Sequence, residues 1–144
     1  RPLMGGSGTG AVWVDHNPNT LMGITAPAMP NMFMVLGPHQ AFGNAPRTIE
    51  NAVDVVCGLL QFCKDNNYRY VEPKQEAADE WTDHVIMAGG GTLGSSVDNW
   101  MTGVNSNVPG KTSRSVMMYL GGCVEYRRRC EDWKSSGYNG LVFQ

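Results

Sequence analysis

Apolar side chains recur at helical spacing through the first half of the chain. From Ile49 they return four, seven, eleven and fourteen residues later, at Val53, Val56, Leu60 and Cys63. A period close to 3.6 residues predicts an amphipathic helix that turns one apolar stripe toward other parts of the protein.

The residues around this helix predict where it begins and ends. Asn44 is a suitable N-cap, and Pro46 fits the first turn, where its missing backbone N–H breaks no helical hydrogen bond. Lys64 suits the negative end of the helix dipole, and the sequence Asp65-Asn66-Asn67 ends the pattern. The helix is therefore expected to start just after residue 44 and to stop near residue 65.

Continuous apolar runs predict short strands. MFMVL at 32–36 stops at Gly37-Pro38, as expected of a buried strand in a parallel sheet, and VMMYL at 116–120 is a second such run. LVF at 141–143 predicts a short final strand. The strand at 32–36, the loop after it and the helix start would form a ready anion or cofactor site, because the first backbone N–H groups of a helix are unpaired.

Two further helices follow from the pattern of the second half. One begins after Glu72-Pro73 and ends at the glycines 89–91, with an apolar line formed by Ala77, Trp81, Val85 and Ala88. The other begins after Gly121-Gly122, ends at Gly137 and carries Val124, Cys130 and Trp133. The whole pattern predicts an α/β fold with short strands, about three helices and long loops.

Composition and charge exclude several classes of function. The 144 residues suit one domain, and a net charge of −2 with 17% charged residues gives no reason to expect a nucleic-acid partner. No apolar run reaches the ~18 residues that would span a bilayer, and no secretory signal is recognisable. The four cysteines, Cys57, Cys63, Cys123 and Cys130, form no C-x₂-C pair. We therefore expect buried, reduced thiols in a cytoplasmic protein and no metal site.

Side chains suited to catalysis are sparse. His16, His39 and His84 fall in three different predicted elements, and no serine lies in a G-x-S-x-G turn. Gly8-Thr9-Gly10 does not continue into a G-x-G-x-x-G loop, and residues 1–31 form an irregular segment, like a chain entered partway. The residues indicate a part of an enzyme rather than a self-contained one.

A tryptophan in a polar loop poses a separate question. Trp100 lies in NWMTGVNSNVPGK at 99–111, where no helical or strand period is present. Its side chain either packs into the core or binds a ligand, and the composition of the loop leaves both alternatives open.

Several motifs occur in a characteristic order. They are NMFMVLGPHQAFGN, RTIE at the opening of the long helix, W-x-T-G-x-N…N-V-P-G-K, YLGGCVEYRRRC and GYNGLVF. In this combination they resemble the C-terminal portion of Baeyer–Villiger flavin monooxygenases, most of all the fungal cyclic-ketone and steroid type. The resemblance extends along nearly the whole chain and is strongest at 30–65 and 98–143.

This resemblance implies an enzyme that binds FAD and uses NADPH and O₂ to insert one oxygen atom into a ketone, giving an ester or lactone. It implies the C-terminal part of a fold with two dinucleotide-binding domains. Residues 32–70 would be the last strand and helix of the FAD-binding domain, and 71–144 a C-terminal segment with a control loop at 98–112. The glycine loops and the catalytic arginine would lie in an upstream part of the same polypeptide. No catalytic residue is then expected in this segment, which alone would be inactive and incomplete as a domain.

The resemblance also implies roles for individual residues. Phe42, Gly43 and Ala45 match a segment that lines the ketone pocket beside the flavin, and Met118 matches a position that faces the same pocket. Asn44 and Ala45, at the helix start, match positions where the backbone approaches FAD.

Trp100 and Lys111 resemble control-loop residues that bind NADP, which would make Trp100 a ligand-binding side chain. Two other functions are kept as alternatives. One is a truncated, non-catalytic interaction or structural module, and the other is a related flavin monooxygenase that oxygenates nitrogen or sulfur.

Overall fold

Three helices and one small sheet form the fold. The computed structural model describes residue 13 and residues 17–92, 97–98, 102, 104, 107 and 114–144. In chain order the elements are α1 (Ala45–Asp65), β1 (Val71–Pro73), α2 (Gln75–Gly89), α3 (Cys123–Ser135) and β2 (Leu141–Phe143). β1 and β2 pair antiparallel, with Glu72 opposite Val142. The predicted α/β fold with about three helices and short strands is confirmed.

The predicted ends of α1 are confirmed. The Asn44 side chain accepts a hydrogen bond from the backbone N–H of Arg47 at 3.2 Å, as an N-cap residue does, and Pro46 lies in the first turn. At the other end, the backbone N–H of Asn66 donates to the Phe62 carbonyl at 3.2 Å, and that of Asn67 donates to the Lys64 carbonyl at 3.2 Å. Local sequence thus fixes both ends of the longest helix.

The buried face of α1 overlaps the predicted stripe only in part, since Val56 and Cys63 pack half-buried against the core. The described residues bury Thr48, Ala52, Val55 and Leu59, whereas Ile49, Val53 and Leu60 are 37%, 42% and 49% exposed. The two faces lie one residue apart in sequence, or about 100° around the helix. α1 is thus apolar on two neighbouring faces, and the described part of the chain covers the one with the smaller side chains.

The predicted strand at 32–36 is wrong. The backbone N–H of Met34 donates to the Ile24 carbonyl at 2.8 Å, and that of Leu36 donates to the side chain of Gln40 at 3.1 Å. Leu36 also has a φ of 56°, which is incompatible with an extended strand. A turn and a buried amide side chain therefore take the backbone groups that a neighbouring strand would have used.

The other apolar runs have different outcomes. VMMYL at 116–120 is not a full strand, since Tyr119 alone forms a bridge, to Ala41. LVF at 141–143 is a strand, β2, as predicted. Its partner β1 was not predicted, because three residues that include Pro73 carry too short a pattern.

Aromatic side chains form the centre of the core. Trp81 of α2 packs against Tyr119 and Tyr126, with ring centroids 5.4 and 6.1 Å away. α3 also buries Cys130 and Trp133, whereas Val124 on the same helix is 85% exposed. These contacts fix the segment around Tyr119 between α2 and α3.

The expectation of uniformly buried thiols is wrong. Cys57 and Cys123 are exposed, Cys63 is half-buried and Cys130 is buried, and all four are free. Cys57 lies on the outer side of α1, while Cys123 is the first residue of α3 and its thiol donates to the carbonyl of Phe42 at 3.3 Å. None of the helices in the described ranges is long and apolar enough to cross a membrane.

Candidate functional site

The loop that leads into α1 lies beside the segment around Tyr119. The backbone N–H of His39 donates to the Met117 carbonyl at 3.0 Å, and the N–H of Phe42 donates to the Tyr119 carbonyl at 3.0 Å. Between them, the N–H of Tyr119 donates to the Gln40 carbonyl at 2.9 Å. Two segments almost eighty residues apart, one with Phe42 to Ala45 and the other with Met118, are thus joined through their backbones.

The start of α1 presents a free donor to solvent. Phe42 is 50% exposed, and Gly43, Asn44 and Ala45 are exposed beside it. The N-cap side chain occupies the N–H of Arg47, and Pro46 has none. The N–H of Ala45 makes no hydrogen bond within the described part of the chain. An unpaired amide at the positive end of a 21-residue helix can bind an electron-rich ligand atom.

The buried side chain of His39 anchors this loop to two other segments of the chain. Its ring is buried, with Nδ1 3.0 Å from the hydroxyl of Thr20 and Nε2 3.1 Å from the carbonyl of Val116. A carbonyl only accepts, so Nε2 carries the proton and Nδ1 accepts from Thr20. Burial lowers the pKa of His39 to about 4, against a smaller raising effect of the hydrogen bond to Val116. The imidazole is therefore neutral and held in one tautomer at neutral pH.

Gln40 adds a second buried polar contact next to His39. Its side-chain N–H₂ donates to the carbonyls of Gly23 and Met34 at 2.9 and 3.0 Å, and its oxygen accepts from Leu36 at 3.1 Å. Gly23 has a φ of +66°, and a Cβ there would come within 2.8 Å of the Gln40 backbone nitrogen, so only glycine fits. These contacts hold the turn at 21–25 and the 34–36 segment against the loop.

Met118 lies near the loop but on a different cavity. It lines a cavity of about 450 Å³ that also touches α2, whereas Phe42, Gly43 and Ala45 are absent from the described lining. The segments that carry these predicted site residues are therefore joined through their backbones, but the side chains do not all face one pocket. A smaller cavity of about 160 Å³ adjoins Asn44, Arg47 and Cys123 at the starts of α1 and α3.

The predictions for Trp100 and Lys111 lie outside the described residues. Arg114, just after the predicted control loop, has its Nε 2.7 Å from Asp98 Oδ1 at the start of that loop. The N–H of Ser115 donates to the carbonyl of Thr102, a described residue within the loop, at 2.8 Å.

Sequence reasoning missed His39 and Gln40 as structural determinants of the site. The signal was present, since two polar residues stand between an apolar run with its Gly37-Pro38 stop and a strong helix start. Among the residues that the structure describes, no three His, Cys, Asp or Glu side chains are grouped as a metal site would need.

Comparison with curated proteins gives relatives along most of the chain, although no family model matches it. Cyclohexanone 1,2-monooxygenase of Acinetobacter sp. is 37% identical over 129 residues, covering 90% of this chain and 23% of the relative. Phenazine N-monooxygenase PhzNO1 of Lysobacter antibioticus is 33% identical over 130 residues, with the same shares covered. The chain thus spans about a quarter of the length of the curated relatives it matches.

Solved structures give the same result. Cyclohexanone monooxygenase from Rhodococcus sp. Phi1 bound to NADP⁺ superimposes with a TM-score of 0.82 at 36% identity, over 88% of this chain and 23% of that one. A complex of OTEMO with FAD and NADP superimposes with a TM-score of 0.69 at 28% identity, over 88% and 23%. The part matched is the C-terminal one. These relatives do not test the expectation of a fungal type.

Proposed function

We propose that this chain, a homologue of the C-terminal portion of Baeyer–Villiger monooxygenases, belongs to an FAD- and NADPH-dependent enzyme that inserts one oxygen atom of O₂ into a ketone. The observation that carries the proposal is the match to cyclohexanone monooxygenases over about nine-tenths of the chain in both sequence and fold. Bound FAD, once reduced by NADPH, would supply the chemistry that activates O₂.

The start of α1 fits a flavin-binding role. Gly43 and Ala45 are exposed at the helix start, and the N–H of Ala45 is unpaired, as a contact with an electron-rich atom of the flavin ring requires. In the proposal Asn44 and Ala45 approach FAD. Phe42, Gly43 and Ala45 border the ketone at the helix start, and Met118 borders it from the neighbouring cavity of about 450 Å³. No residue of the described chain takes part in a proton or oxygen transfer.

Trp100 and Lys111 complete the cofactor-binding set on sequence grounds. An indole offers a flat apolar face and one N–H donor to a nicotinamide or its ribose, and a lysine suits a phosphate. We propose that this control loop, 98–112, closes over NADP and keeps water from the reaction.

An upstream part of the same polypeptide is the partner that best explains the outer face of α1. The exposed residues Ile49, Val53 and Leu60 form an apolar stripe that a free helix surface rarely carries. We propose that residues 32–70 complete an FAD-binding domain whose remaining parts cover this stripe, and that 71–144 form the C-terminal segment. Four free thiols suit a cytoplasmic location.

One substitution tests the flavin contact directly. Replacing Ala45 with proline exchanges the backbone N–H for a ring carbon and should leave the helix intact, because the first helical position tolerates proline and Asn44 already has the extended ψ of 111° that a residue before proline needs. We expect the rate of ketone oxygenation by the full-length polypeptide to fall about tenfold or more, since one fixed donor is lost. Ala45→Ser keeps the N–H and should retain the rate. Equal rates in the two variants would exclude the contact.

A second candidate function has its own support. The similarity to a phenazine N-monooxygenase favours nitrogen oxygenation as the alternative within flavin enzymes. A truncated, non-catalytic module is the alternative outside them. Bound flavin distinguishes the two oxygenases from the non-catalytic module, and the reaction product distinguishes the two oxygenases from each other.

The deciding experiment uses the natural polypeptide that carries this chain, purified at its full length. We expect flavin absorbance, consumption of NADPH that depends on an added cyclic ketone (cyclohexanone or cyclododecanone), and a product heavier than the ketone by one oxygen atom. N-oxide formation from phenazine without ketone turnover would favour nitrogen oxygenation. A purified protein without flavin, which does not take up added FAD, would favour the non-catalytic module.

A further inference from the structure

The cavity beside Met118 has an apolar wall built by two elements. Its volume is about 450 Å³, within the roughly 300–1,000 Å³ of cavities that hold small molecules. α2 contributes Ile86, and the 114–120 segment contributes Val116, Met117, Met118 and Leu120. Two neighbouring methionines give this wall flexible side chains that adapt to ligands of different outline.

The cavity contains no uncompensated charge among its described lining residues. Arg114 is paired with Asp98 at 2.7 Å, and both ring nitrogens of His39 are engaged, one by the Thr20 hydroxyl and one by the Val116 carbonyl. No carboxylate belongs to the described lining. A charged ligand would lose its hydration here and meet no free counter-charge, which disfavours its binding.

The volume also indicates the size of the occupant. At the roughly 30 Å³ that a water molecule takes in the liquid, 450 Å³ accommodates about fifteen non-hydrogen atoms. Cyclohexanone, with six carbons and one oxygen, would leave much of this space unfilled, and an unfilled apolar cavity contributes little binding energy.

We propose that this cavity binds an uncharged, largely apolar molecule much bulkier than a six-membered ring. On the proposed function, which this inference deepens, the molecule is the ketone substrate and the cavity holds its carbon skeleton. The apolar wall and the compensated charges select against carboxylates and other anions of the same size.

The test measures binding to the full-length natural polypeptide without NADPH, so that it does not depend on turnover. Cyclododecanone and cyclohexanone compare size, while 2-dodecanone and dodecanoate compare charge on the same length of carbon chain. Calorimetric titration should give a Kd for cyclododecanone about tenfold or more below that for cyclohexanone. Dodecanoate should bind about tenfold or more weakly than 2-dodecanone.

A pair of neighbouring substitutions assigns the binding to this cavity. Ile86→Trp fills space in the lining, and Met87→Trp makes the same change one residue along α2 at a position that is 71% exposed and outside the described lining. Ile86→Trp should raise the Kd for cyclododecanone about tenfold and leave that for cyclohexanone nearly unchanged. Met87→Trp should leave both unchanged.

Three outcomes would overturn the inference: equal effects of the two tryptophans, dodecanoate binding as tightly as 2-dodecanone, or no binding of cyclododecanone at all. Met118→Phe, a smaller change in the same wall, replaces Ile86→Trp if that variant does not fold. Because binding is measured apart from catalysis, a flavin-free protein that still binds as described would refute the proposed oxygenation and leave the ligand class intact. An active oxygenase with unaltered Ile86→Trp binding would refute the cavity assignment alone.

Discussion

Replacing Gln40 with leucine should lower the free energy of unfolding by about 3 kcal/mol. Leucine occupies a similar volume but cannot hydrogen-bond, so it strands the carbonyls of Gly23 and Met34 and the N–H of Leu36. A buried polar group left without a partner costs roughly 1–3 kcal/mol, and the Leu36 end lies nearer solvent, where water compensates in part. Urea unfolding of the full-length natural polypeptide at neutral pH measures the difference.

Gln61 supplies the matched control for this substitution. Its side chain donates to Asp65 at 2.6 Å on the exposed surface of α1. Because water replaces that bond readily, Gln61→Leu should change stability by less than about 0.5 kcal/mol. Similar losses in the two variants would show that Gln40 does not hold the loop together.

The second large effect is a pH dependence caused by His39. The folded protein keeps this ring neutral down to a pKa of about 4, whereas the unfolded chain takes up a proton near the ordinary pKa of 6.5. Between these values the unfolded state binds more protons, so stability falls as the pH falls from about 6.5 to about 4. The loss in the free energy of unfolding reaches about 3 kcal/mol once the pH is below both pKa values. Above about pH 6.5 there is no such loss.

Comparison with His39→Asn isolates this contribution. His84 also has a lowered pKa, through burial and then Arg129, but it is present in both proteins and its effect cancels. The unfolding free energy of each protein is measured from pH 7.5 to pH 4.5, and the two pH profiles are subtracted. We expect the unsubstituted chain to lose stability more steeply; parallel profiles would mean that His39 is accessible to protons when folded.

Local signals were sufficient for some elements and not for others. Asn44, Pro46 and the residues after Lys64 define α1 without reference to the rest of the chain, and its predicted bounds are confirmed. The strand prediction for 32–36 is wrong because the hydrogen-bond partners of this backbone, Ile24 and the Gln40 side chain, lie in a turn and a loop. Turns and loops have no hydrophobic period from which such contacts could be predicted. The inner face of α1 was misassigned because Thr48 and Ala52 are less apolar than the neighbouring Ile49 and Val53.

The candidate site was likewise predictable where it depends on local sequence and not where it depends on long-range contacts. The motif around Phe42 to Ala45 indicates the helix start, where the Ala45 amide is free, whereas Met118 lines a neighbouring cavity, and the pocket role of these residues stays a prediction. Side-chain direction in an irregular segment depends on long-range contacts, here the bonds of His39 and Tyr119. The roles of Trp100 and Lys111 stay predictions.

The Thr20 hydroxyl gives the site a natural spectroscopic reporter. It is buried, accepts from the N–H of Gly23 at 3.2 Å and donates its proton to Nδ1 of His39. Hydroxyl protons in water usually exchange too fast to be seen by NMR, but this one is released only when the loop opens. In protein labelled with 15N, a slowly exchanging hydroxyl resonance coupled to the unprotonated imidazole nitrogen would therefore report how often the loop before α1 opens in solution.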